Sequence, residues 1–149
     1  MAARKLAKIA REKKLFTVAQ ANATLPLVQA IVRDIAQLAN ELRERHDRLG
    51  KVQTPEKKAL SAAHREELKQ AEDDFKRQEE RLMEYVEELK SLGVELKDYY
   101  TGLVDFPCWH ENRVVYLCWR LGEPQVAHWH ELDSGFAGRQ TITPKMTNG

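Results

Sequence analysis

From Val28 the residues Val28, Ile31, Ile35, Leu38, Leu42, Arg45 and Leu49 recur at alternating steps of three and four. That spacing lays one largely apolar seam along a helix, broken once by Arg45. A second series, His64, Leu68, Ala71, Phe75, Gln78, Leu82, Tyr85, Leu89 and Leu92, predicts another long helix from Pro55 to about Leu92, stopped by Gly93. Phe16, Thr17 and Gln20 read as a hydrophobic staple and a capping box, which starts a helix at Thr17. Pro26 lacks an N–H and clashes with the preceding turn, which predicts a short first helix and a restart near Leu25. Gly50 is the expected helix-stopping residue, and Thr54-Pro55 the next cap and first turn. Two such helices with a short turn form an antiparallel hairpin. The surplus length of the second is expected to pack on the C-terminal segment, on the short first helix or on a second copy of the chain.

After Gly93 the period shortens to two. Val94–Lys97, Leu103–Trp109, Arg113–Arg120 and Val126–His130 have the β-branched and aromatic content of strands, separated by Glu111-Asn112 and by Leu121-Gly122-Glu123-Pro124. They predict a small antiparallel meander. The glycine-bearing loop Asp133–Gln140 is expected to wrap back onto it, and Pro144–Gly149 to be a loose tail. The fold class is therefore α+β: a long, coiled-coil-like two-helix hairpin with a small C-terminal sheet. Residues 1–14 form a basic flexible segment, 15–92 the hairpin, 93–142 the sheet and its loop, and 143–149 a flexible tail. Residues 15–142 are expected to be one structural unit.

Within the meander Cys108-Trp109-His110, Cys118-Trp119-Arg120 and His128-Trp129-His130 follow one another at ten-residue intervals. Because strand side chains alternate, each Trp points to one face and its two neighbours to the other. If the turn after Arg120 pairs Cys118 with His128, then Tyr116, Cys118, His128 and His130 share a face, whereas a one-residue slip separates them.

Composition narrows the function classes. The 149 residues carry a net charge of +1, so a wholly basic nucleic-acid binder is excluded. The balance is uneven: Arg4, Lys5, Lys8, Arg11, Lys13 and Lys14 face only Glu12, while the second helix and the sheet are acidic. Most of the 32% charged residues are accounted for by the solvated face of a hairpin. The basic terminus and the mildly basic hairpin tip, with Arg43, Arg45, Arg48, Lys51, Lys57 and Lys58, are candidates for contact with RNA, a ribosome or a polymerase. No apolar run reaches the ~20 residues of a membrane span. Two cysteines and no apolar leader point to a reducing cytoplasm.

Candidate chemistry gathers beside the tryptophans. His128 and His130 have a spacing used by metal sites, and Cys118, Cys108 or Asp133 could complete a zinc shell. No paired-cysteine or metalloprotease motif accompanies them, so no metal or other cofactor is favoured, with Cys118, His128 and His130 the weak candidates. Asp105, Trp119, Arg120, Glu123, Trp129, His130, Glu131, Asp133 and Arg139 are the candidates for a charged ligand- or partner-binding pocket. In it His130 with Asp133 could act as an acid–base pair, and Arg120 or Arg139 could clasp a carboxylate or phosphate. No nucleophile elbow or phosphate loop supports a particular reaction.

Phe16-Thr17 through Ala21-Asn22 to Leu25-Pro26, Gly93 to Asp98, Gly102 to Pro107, Val115 to Arg120, Gly122-Glu123-Pro124, Trp129 to Asp133 and Gly135 to Gln140 together resemble a bacterial family known as domain-of-unknown-function family 2203. The resemblance covers nearly everything after residue 15, the hairpin in pattern only. It implies a small cytoplasmic bacterial protein with no assigned activity. Cys108, His110 and His128 depart from the family pattern, whereas Asp105, Cys118, Trp119, Arg120, Trp129, His130, Asp133, Gly138 and Arg139 match it. That shifts weight from zinc to the charged pocket. The expected function is a noncatalytic protein-interaction or ligand-binding module, dimeric through its exposed seam. The alternatives are an RNA-associated factor and a metal- or His-dependent enzyme at His130.

Overall fold

The computed structural model describes residues 14–52 and 61–147. Helix α1 spans Val18–Val52, α2 Ala62–Ser91, and five strands follow: β1 Glu95–Asp98, β2 Leu103–His110, β3 Arg113–Arg120, β4 His128–His130 and β5 Gln140–Thr141. A short helix, α3, covers Pro144–Thr147. The strands form one antiparallel sheet in chain order, and the two long helices precede it, an α+β architecture.

The capping box forms as expected. Thr17 N–H donates to Gln20 Oε1 at 3.0 Å, and Gln20 N–H to Thr17 Oγ1 at 3.1 Å. Phe16 lies edge-on against Phe106, ring centroids 5.2 Å apart, and its N–H donates to the Pro107 carbonyl, which ties the helix entry to β2. The expected break at Pro26 does not occur: α1 runs through it. An interior proline costs about 3 kcal/mol. Burial of Ala21, Leu25, Val28, Ile31, Val32 and Ile35 on both sides of it outweighs that cost, since full burial of one large aliphatic side chain contributes about 1.5–3 kcal/mol. Gly50 likewise fails to stop α1, whose helix continues to Val52.

The α2 start is also corrected. It begins at Ala62 on a Ser61 cap, whose hydroxyl accepts the His64 N–H, rather than at Pro55. Residues 53–60 of the hairpin tip, Thr54 and Pro55 among them, lie outside the described residues, as do residues 1–13 of the basic terminus. The buried stripe of α1 is wider than the heptad seam, with Val32, Ala36 and Ala39 buried and Leu38 only half-buried. On α2 only Leu89 is buried, and the seam position Gln78 accepts a hydrogen bond from Arg45 of α1.

The core lies where the base of the hairpin meets one sheet face: Val28, Ile35 and Leu89 against Val104, Phe106, Leu117 and Trp119. The remaining differences are at the edges of the sheet. Val126 lies outside β4 because the Asn22 side chain takes both its N–H and its C=O. The expected loop ends in β5, and part of the expected tail is α3, whose Met146 joins the core. The ten-residue repeat is out of phase on β2. Trp119 and Trp129 share the core face, but Trp109, opposite Val114, stands on the other face and is 44% exposed.

Candidate functional site

The sheet face turned away from the helices carries the polar chemistry. Asp105 pairs with Cys118, Cys118 with His128, and Tyr116 with His130, so the register that puts these side chains on one face is the one adopted. Segment Glu131–Arg139 folds over that face, turning at Gly135 and through the 3-10 turn Phe136–Gly138. Asp105 and His130 are each 2% exposed and Cys118 1%. Charged side chains at that depth require partners.

Those partners are one another. His130 Nε2 lies 3.0 Å from both oxygens of Asp105, and its Nδ1 lies 2.7 Å from the Glu131 carbonyl oxygen. The Cys118 sulfur faces the same carboxylate from the neighbouring strand. Ligand atoms of Asp105, Cys118 and His130 all lie within 4.8 Å of one another. Burial pushes the Asp105 carboxyl above its usual range, against the pull of His130, Cys118 and Lys97. Burial, with the neighbouring Asp105 charge, pushes the Cys118 thiol up to about 12, so by itself it is a protonated, unreactive group.

A cavity of about 220 Å³ opens beside this cluster. Leu103, Leu132 and Phe136 form its apolar wall, and Asp105, His130, Tyr116 and Lys97 its polar side. Tyr116 donates to Glu95 at 3.0 Å, and the Lys97 ammonium sits 5.0 Å above the Tyr116 ring.

A second polar group fastens the covering segment. One Arg139 nitrogen donates to both Glu123 oxygens at 2.9 and 2.8 Å, and the Arg120 backbone N–H donates to Glu123 Oε1 at 2.7 Å. Both Arg120 and Arg139 stack on Phe136, their guanidinium carbons 5.3 and 4.8 Å from the ring centroid. Partial burial raises the Glu123 carboxyl, but the Arg139 and Arg120 hydrogen bonds and the Arg139 and His128 charges outweigh it and hold it below its ordinary value.

The sequence candidates therefore separate. Asp105, Cys118 and His130 converge; Glu123 and Arg139 form the latch, with Arg120 above Phe136. Trp119 points into the core and donates to the Glu123 carbonyl, and half-buried Trp129 packs against the same core. Glu131 is paired with Arg113 at the sheet end, which holds its carboxyl low. Asp133 is exposed in the covering turn, and the carboxylate against His130 is that of Asp105. His128 shares the face but leans toward Glu123, 3.6 Å away, while Cys108 lies in the core. Lys97, Leu103, Leu132 and Phe136 were missed, and Tyr116 was expected on the shared face but not taken as a site residue. The only signal for them was the alternation that puts Leu103 and Tyr116 in phase with Asp105 and His130.

A larger groove of about 390 Å³ between the helices and Tyr99-Tyr100 is mainly apolar and gathers no such polar cluster. Among the described residues no helix is long and apolar enough to cross a membrane.

The class these observations define is an α+β protein in which a helical hairpin supports a five-stranded meander, with a loop-covered Asp–His–Cys cluster on the sheet's far face. The chain belongs to the family of uncharacterized conserved proteins DUF2203, whose family model matches residues 14–142. No curated protein and no solved structure matches it.

Proposed function

We propose that the protein is a noncatalytic ligand-binding module whose site is the cavity between the sheet and the Glu131–Arg139 segment. The observation that carries this reading is the buried Asp105–His130 pair bordering a cavity with an otherwise largely apolar wall. A few converging polar groups in an apolar pocket are the usual means of orienting a small ligand. At about 220 Å³ the space suits a molecule smaller than a drug-sized one. Its polar end would meet Asp105, His130 or Lys97, and its apolar end Leu103, Leu132 and Phe136. Both His130 nitrogens already have partners, which favours binding over proton transfer to a substrate.

The test is a set of small aromatic and aliphatic alcohols, amines and carboxylates, titrated while backbone amide resonances are followed. Saturable shifts centred on Leu103, Tyr116 and Gly135 are expected, and Leu103→Trp, which fills the cavity, should abolish them while the remaining spectrum stays folded. Shifts confined to the Tyr99-Tyr100 groove, or none at all, would overturn the reading.

A further inference from the structure

We infer that Asp105, Cys118 and His130 form a binding site for one divalent transition-metal ion, zinc in type, at the edge of the covered cavity. The inference deepens the ligand-binding reading, since it names the centre that the ligand's polar end would meet.

The argument begins with the hydrogen on His130. The Glu131 carbonyl can only accept, so Nδ1 at 2.7 Å carries the hydrogen. In the neutral ring Nε2 is then a lone pair, aimed at both oxygens of Asp105 from 3.0 Å. Two acceptors facing each other out of water require a positive charge between them. A proton is one solution, and a metal ion is the other. The third group favours the metal: a proton shared by histidine and aspartate leaves the thiol only a weak donor to the carboxylate, whereas a metal ion would take its sulfur as a third ligand, and the three ligand atoms already lie within 4.8 Å of one another.

Nitrogen, oxygen and sulfur donors at the usual zinc distances of about 2.0–2.3 Å stand roughly 3.3–3.7 Å apart on a tetrahedron. The present grouping, within 4.8 Å, needs only side-chain adjustment to reach that spacing. The donors come from three neighbouring paired strands, β2, β3 and β4, so the backbone fixes their separation. A backbone carbonyl on the distal imidazole nitrogen is the arrangement that orients metal-bound histidines. Thiolate and imidazole select zinc or cobalt over calcium and magnesium, which take oxygen ligands. One carboxylate and one thiolate balance the two charges of the ion. The cavity bordering Asp105 and His130 supplies both an entry path and room for a fourth ligand.

The test uses the full chain without a histidine tag, stripped of metal and titrated with Co²⁺. One equivalent is expected to bind, with a thiolate-to-cobalt charge-transfer band in the near ultraviolet and intense visible bands of a tetrahedral ion, all discharged by Zn²⁺. Cys118→Ser should remove the near-ultraviolet band and weaken binding by more than about tenfold. His128→Gln should leave both unchanged. Circular dichroism establishes that each variant is folded, and the wild-type cobalt spectrum decides the question even if the buried variants are not. Absence of stoichiometric binding, or a cobalt spectrum lacking the thiolate band, overturns the inference. So does a His130 ring that remains doubly protonated in excess zinc. Metal uptake needs no organic ligand, so a chain that loads cobalt but ignores the small molecules refutes only the ligand-binding reading, and the reverse result only this one.

Discussion

The side-chain amide of Asn22 in α1 brackets the backbone of Val126, 104 residues away: Oδ1 accepts the Val126 N–H at 2.8 Å, and Nδ2 donates to its carbonyl at 3.2 Å. The helix thus fixes the chain just before β4, and β4 carries His130. A residue on the core side of the sheet therefore sets the position of a group on the opposite side.

Asn22→Ala should lower stability by about 2–4 kcal/mol, because it removes the two hydrogen bonds to Val126 and strands both backbone groups of that buried residue. Asn22→Asp, which keeps the acceptor but turns a carboxylate oxygen toward the Val126 carbonyl, should also destabilise. Urea denaturation measures both. A loss below about 0.5 kcal/mol for the alanine variant would mean that the loop is held by something else.

The Asp105–His130 pair makes a sharper energetic claim. Removing one partner leaves the other buried and unpaired, so Asp105→Ala or His130→Ala should each cost about 3–5 kcal/mol in the metal-free protein. The double variant should cost well under the sum of the two, since the stranded group is then gone. A double-mutant cycle by chemical denaturation reads the coupling, and strictly additive losses would show that the two side chains do not interact.

Gly102 closes the turn between β1 and β2 with φ +72°, where a Cβ would come 2.8 Å from both Leu121 Cβ and Val32 Cγ1. Gly102→Ala therefore meets backbone strain and a clash with α1 together, an expected loss of about 2–4 kcal/mol. Gly122, also at positive φ but with nothing within 4 Å of the added atom, should lose only the strain part on the same change. Comparing the two thermal midpoints separates the contributions, and equal losses would refute the packing argument.

How far these features were legible depends on the distance over which each is determined. The capping box and the Arg113–Arg120 strand follow from neighbours a few residues apart and appear where the pattern puts them, and the two amphipathic helices form without the break expected at Pro26 and with their ends shifted. Pro26 misled because its local penalty is visible in the sequence while the burial that offsets it, in a core shared with the sheet, is not. Val126 misled for a similar reason: its alternation is strand-like, but Asn22 takes the groups that would join the ladder. At the site, Asp105, Cys118 and His130 were each recognised as candidates. Their convergence was conditional on a register that local spacing leaves open, and Asp105 rather than Asp133 meets His130 because Asp105 stands on the same sheet face, whereas Asp133 is exposed in the turn that covers it.

The Glu123–Arg139 latch gives the covering segment a pH dependence whose sign is fixed. The Glu123 carboxyl is held below its ordinary value in the folded chain, so it titrates lower there than when unfolded. Its contribution is accordingly present above the unfolded value of about 4.3 and is lost as pH falls through the folded value. Amides of Gly135–Arg139 should exchange with solvent at a pH-corrected rate that is flat above about pH 5 and accelerates below about pH 4. Arg139→Met removes the first partner of Glu123 and one of the two guanidinium groups on Phe136, so it should open the segment at neutral pH and flatten the acid response. Glu123→Gln should mimic the acid state at every pH. If protection of the segment is independent of pH between 3 and 6 and indifferent to Arg139→Met, then the stacking of Arg120 on Phe136, rather than the ion pair, holds the cover over the cavity.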